Sequence, residues 1–145
     1  MTVIEARTTI EADPGVVFDV AADPAYATRL VDGLSEWRAL GKKVRGKGAR
    51  FGATFKFGPA TYEANLVIAE WDPPKAVAWR SESGADQSLA WLLEPSPNGT
   101  SVLFRLGFDP PQGVAGVMFS LTVEPALRAK ANGTVAELKR LAEQR

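Results

Sequence analysis

Apolar and polar positions alternate with a period of two through the middle of the chain, then shift to a period near 3.6 at its end. The clearest alternation runs over Arg50–Gly58, where Phe51, Ala53, Phe55 and Phe57 interleave with Gly52, Thr54 and Lys56. The same pattern puts Leu89, Trp91 and Leu93 on one face of Gln87–Glu94. It puts Val102, Phe104, Leu106 and Phe108 on one face of Thr100–Asp109. Val77 and Trp79 share a face in the strand after Lys75, and Thr2–Glu11, Leu34–Arg45 and Thr61–Trp71 complete a set of about seven strands. Turn chemistry separates them: Gly46-Lys47-Gly48, Gly58-Pro59, Asp72-Pro73-Pro74-Lys75, Ser83-Gly84-Ala85-Asp86 and Pro95-Ser96-Pro97-Asn98-Gly99. Proline cannot donate to a ladder, and Asn-Gly readily supplies positive φ.

Helices bracket this sheet. Asp13 before Pro14 reads as an N-cap whose carboxylate accepts from the first turn, with proline at the first helical position. A short helix over Pro14–Ala22 turns Val17, Phe18 and Ala21 inward. Pro24 restarts the chain into a second short helix, Ala25–Val31, which Gly33 ends as a left-handed cap. After Pro110-Pro111 the period becomes helical, and Leu127, Ala131, Val135, Leu138 and Leu141 or Ala142 form an apolar stripe that should pack on the sheet. Pro125 interrupts that pattern. It predicts either a bend between Leu121 and Pro125 or a helix that begins near Thr122 behind a plain loop. In the first case Gly113–Phe119, apolar and holding two glycines, reads as a movable cover for a pocket.

Length and composition narrow the function. A chain of 145 residues, 46% hydrophobic and 23% charged, predicts one globular domain with a substantial core. Its formal net charge of +0 argues against nucleic acid or an anionic membrane as partner, and no apolar run approaches a membrane span. With no cysteine and no basic, apolar leader, the expected compartment is the cytoplasm. The chain has no histidine either, which removes Ser–His–Asp and thiolate catalysis and the usual zinc, copper or haem ligands. No metal and no cofactor are expected.

The order strand, two short helices, six strands, long helix resembles the helix-grip fold of the START-like (SRPBCC) superfamily, especially its polyketide cyclase/dehydrase-like branch. Ala12-Asp13-Pro14 with Val17-Phe18-Asp19 and Ala22-Asp23-Pro24 is similar to that branch's first helix and its exit. Gly46-Lys47-Gly48-Ala49 is similar to its first hairpin turn. Glu70-Trp71-Asp72-Pro73-Pro74-Lys75 followed by Val77-Ala78-Trp79-Arg80 is similar to its central hairpin, and Glu94-Pro95 through Gly99-Thr100 to a later one. One departure is Tyr26–Val31, where the branch often carries a tryptophan. The resemblance implies an α+β fold, a curved antiparallel sheet gripping the C-terminal helix with a pocket between them. In relatives that pocket takes lipids, sterols, polyketides or other apolar small molecules.

Three functions follow as expectations. The first is binding of a small apolar or aromatic molecule in that cavity. The others are a cofactor-independent cyclase or dehydratase-like activity inside it, and a protein-interaction module of co-chaperone type. The expected ligand-binding residues are Phe55, Tyr62, Trp79, Trp91 and Phe104, which lie mid-strand, with Met118 and Leu121 from the segment before Pro125. Large aromatics at the wide end of a curved sheet leave an apolar pocket, and Tyr62 alone brings a hydroxyl to that face. No catalytic residue is assigned. Glu63, Asn65, Arg80 and Arg105 read as a solvated outer face. The cluster Lys42, Lys43, Arg45, Lys47 and Arg50 reads as a solvated hairpin end.

Overall fold

The alternating segments pair into one seven-stranded sheet: β1 (Thr2–Ile10), β2 (Leu34–Ala39), β3 (Arg50–Phe57), β4 (Ala60–Asp72), β5 (Ala76–Gly84), β6 (Gln87–Ser96) and β7 (Gly99–Phe108). A computed structural model describes residues 2–57, 60–84, 86–109 and 113–145, with the backbone alone at residues 57, 60, 114–120 and 122. The expected break at Gly58-Pro59, the end of the sheet at Pro110-Pro111 and Ala85 of the β5–β6 turn lie outside the described residues. All neighbours are antiparallel, in the order β1-β7-β6-β5-β4-β3-β2.

Consecutive strands β1 and β2 therefore sit at opposite edges of the sheet. The chain crosses between them through α1 (Pro14–Ala22), a 3-10 turn (Pro24–Tyr26) and α2 (Ala27–Leu30). Register shifts at Leu34/Glu36, Asn65/Leu66 and Ile68/Glu70 bend the β2–β5 half; bulges of this kind increase local twist and curl a sheet. The alternation faces inward as expected, with Phe51, Ala53, Leu89, Trp91, Leu93, Val102 and Phe104 buried and Glu63, Asn65, Arg80 and Arg105 exposed.

The last helix, α3 (Gly113–Glu143), lies in the curve of the sheet. Its residues Ala131, Val135, Leu138, Leu141 and Ala142 are buried, so the predicted stripe is the packed one. It is latched to β1 by Lys139 Nζ, which donates to the Thr9 carbonyl at 2.7 Å, and by the Glu11 amide, which donates to the Glu143 carboxylate at 2.9 Å. That amide, then Lys139, holds the Glu143 carboxyl below its ordinary range. Arg140, and behind it Arg29 on α2, does the same for Glu137.

Four expectations change. The Asp13 carboxylate makes no cap bond. Its backbone carbonyl takes Val17 N at 3.1 Å, and Asp23 is the side chain that caps, accepting from Ala25 N at 2.9 Å. Gly33 lies beyond the α2 cap, Val31, and its φ of +99° turns the chain into β2. Strand β2 stops at Ala39 because Gly41-Lys42-Lys43 offers no apolar alternation to hold an edge strand. Arg45 instead lies over the Trp71 ring at 5.3 Å and 3.9 Å from Asp19. The chain from Gly113 is continuous helix through Pro125, so the loop before Thr122 does not form.

Candidate functional site

Among the described side chains of helix α3, buried ones occur only from Ala131 onward. Toward its start Val123 and Leu127 are half-buried and Leu121 is 70% exposed, while farther on Leu138 is fully buried. The curved sheet and the helix thus part company at one end, and a cavity of about 370 Å³ opens between them. That volume falls in the range of ordinary small-molecule pockets.

Each wall has a structural origin. Phe55 and Tyr62 are register partners on β3 and β4 and so share one face. Leu89 opposite Leu106, and Gln87 opposite Phe108, extend the floor on β6 and β7, with Phe104 deeper in. Leu127, Ala131 and Thr134, about a turn apart on α3, form the roof. The α2–β2 turn, Val31-Asp32-Gly33, closes one side. It is pinned to the helix because the Asp32 amide donates to Thr134 Oγ1 at 3.1 Å, Thr134 Oγ1 donates to the Lys130 carbonyl at 2.9 Å, and Lys130 Nζ pairs with Asp32 at 3.1 Å. The carboxylates that reach the cavity, Asp32, Asp86 and Asp109, are all exposed, as is Lys56, while half-buried Lys130 and Gln87 and buried Thr134 add polar groups to a mainly apolar lining.

A second cavity, about 20 Å³, lies deeper, under α1 and α2. Trp37, Phe51, Trp79 and Trp91 surround it. Val31, Leu89 and Phe104 line both cavities, so the two share a wall. The aromatic cluster around it is ordered by ring contacts. Trp37 stacks on Phe51 at 4.8 Å and meets Trp79 edge to face at 6.0 Å, and Trp91 lies 4.6 Å from Phe104.

The expected site residues therefore fall into separate places. Phe55, Tyr62 and Phe104 line the larger cavity, with Tyr62 46% exposed at its opening. Trp79 and Trp91 line the smaller one, which Phe104 joins. Leu121 lines neither, and the Met118 side chain lies outside the described residues, as do those of the rest of 114–120. Sequence reasoning did not single out Leu89, Leu106 and Leu127 as site residues. The first two share strand faces with residues that it did, and Leu127 heads the helical stripe, so periodicity held the signal. Among the described residues no group of acidic side chains is placed to hold a metal ion, and no helix is long and apolar enough to cross a membrane.

Comparison with known proteins agrees with this architecture. The family model described as "Polyketide cyclase / dehydrase and lipid transport" matches residues 1–143. No curated protein matches the sequence. Among solved structures, TTHA0849 from Thermus thermophilus superposes with a TM-score of 0.82 at 16% identity, over 97% of each chain. DR_A0006 from Deinococcus radiodurans gives 0.74 at 21% identity over 99% of this chain and 98% of its own. The Zhui aromatase/cyclase from Streptomyces sp. R1128 gives 0.70 at 18% identity over 96% and 94%. At these identities the likeness is one of fold.

Proposed function

Because the chain belongs to the polyketide cyclase / dehydrase and lipid transport family, we propose that it binds a small apolar or aromatic molecule in the larger cavity. The observation that carries this reading is a space of about 370 Å³ lined mainly by apolar side chains, with its carboxylates exposed. In it Phe55, Phe104, Leu106 and Leu127 contact the ligand's apolar body, and Tyr62 offers its hydroxyl at the opening. Burying apolar area contributes roughly 25 cal/mol per Å², so an apolar guest that fills the space is held by contact alone. Cyclase- or dehydratase-like chemistry would need a group inside to move a proton, and the carboxylates lining the cavity are exposed. Docking of a protein partner would need a contiguous apolar patch. Among the described residues the large exposed apolar ones, Val3, Leu40, Val44, Tyr62 and Leu121, are spread over β1, the loop after β2, β4 and α3.

The test is a titration with the hydrocarbon tetralin, followed by methyl NMR of Leu89, Leu106 and Leu127. Saturable shifts at these three, lost when Leu106→Trp fills the cavity, are expected. A folded protein whose cavity methyls stay put overturns the reading.

A further inference from the structure

One of the residues lining the smaller cavity, Trp79, has a polar group that no hydrogen bond of the protein uses. Trp79 is 7% exposed, and its indole Nε1 is buried without a hydrogen-bond partner. Strand register sets it between Ile68 and Leu89, and the Trp37 ring holds it edge to face. Buried polar groups in folded proteins are nearly always satisfied, so an orphan asks what satisfies it. An indole can only donate.

The space beside this side chain is about 20 Å³, room for about one water-sized group. A water held there would need two to four polar partners. The other lining side chains with a hydrogen-bonding group are Trp37 and Trp91, whose indoles can only donate, and Asp23, whose carboxylate accepts from the Ala25 amide. The wall toward the larger cavity is made of Val31, Leu89 and Phe104, side chains that can part by rotamer changes.

We propose that the ligand carries a hydrogen-bond acceptor, a carbonyl or hydroxyl oxygen at the inner end of its apolar body, which enters the smaller cavity and accepts from Trp79 Nε1. This rests on the binding reading above and names oxygenated molecules as the preferred guests within its apolar ligand class. Trp79 thereby acts as a specificity residue. An oxygen-bearing guest satisfies the donor, and a pure hydrocarbon leaves it stranded. Sites built to pair a buried polar group reject analogues that lack its partner far more strongly than apolar pockets reject a missing methylene.

The experiment compares 1-tetralone with tetralin, which differ by one carbonyl oxygen, on the same protein. The indole N–H resonance of Trp79, assigned among the four tryptophans from its nuclear Overhauser contacts in the wild-type protein, is followed through both titrations. The expected result is a downfield shift with 1-tetralone and none with tetralin. Trp79→Phe is expected to weaken 1-tetralone about tenfold and to change tetralin less than twofold. Equal response of the indole to both probes overturns the proposal, even if the variant fails to fold, because the wild-type spectra decide it. If both probes move the Leu89, Leu106 and Leu127 methyls but the indole does not discriminate, the binding reading stands and this one falls. If neither probe moves the methyls, both fall.

Discussion

Trp91 on β6 and Phe104 on β7 are register partners whose rings stand 4.6 Å apart, tilted by 41°. Trp91 is 1% exposed and faces the smaller cavity, whereas Phe104 reaches both. The pair is thus core on one side and cavity wall on the other. Replacing Trp91 with Ala is expected to destabilise the protein by about 3–5 kcal/mol, measured by urea unfolding. Loss below about 1 kcal/mol would show that the ring does not carry packing.

Thr134 is 1% exposed and ties the α2–β2 turn to α3 through both its donor and its acceptor. Thr134→Val keeps the shape and strands the Asp32 amide. Losing one intramolecular hydrogen bond costs about 0.5–1.5 kcal/mol, so stability should fall by that amount and the Asp32 amide should exchange faster with solvent. Unchanged exchange at Asp32 would place the latch elsewhere, for example in the Lys130–Asp32 pair.

Gly99 closes the β6–β7 hairpin with a φ of +150°. A Cβ there would collide with the Ile10 carbonyl oxygen at the end of β1 and come within 2.9 Å of Ala12 N. Gly99→Ala should therefore destabilise by about 2 kcal/mol or more, through both strain and displacement of β1. Calorimetric melting that matches the wild type would contradict the close approach.

Acid should loosen the contact between β1 and the end of α3. The Glu143 carboxyl is held below its ordinary range by the Glu11 amide and Lys139. A carboxyl with a depressed folded pKa adds stability that is present above its unfolded value, about 4.3, and disappears as pH falls through the folded one. The melting-temperature gap between wild type and Glu143→Gln should be constant near neutrality and close on acidification below about pH 4.3. A gap that stays the same far into the acid range would rule the contact out as a titrating one.

The sequence by itself determined the elements and their inward faces. Period-two runs such as Phe51–Phe55 and Val102–Phe104 show which side of each strand is apolar, and the stripe from Leu127 to Ala142 does the same for the helix. Those patterns are local because burial of a strand or helix face is read off spacing alone. Proline and glycine turns set where the strands stop, and the turn and helix motifs pointed to the helix-grip family whose model matches residues 1–143. What spacing could not reach was decided by contacts between distant segments. Asp13 and Asp23 look alike as caps, but only Asp23 finds an amide. Arg45, expected at the end of β2, lies instead over Trp71 and beside Asp19. The split of the aromatic residues into two cavities is likewise tertiary. Whether a given inward ring meets solid core or open space depends on where α3 leaves the sheet, and latches such as Lys139–Thr9 and Thr134–Asp32, 130 and 102 residues apart, set that position.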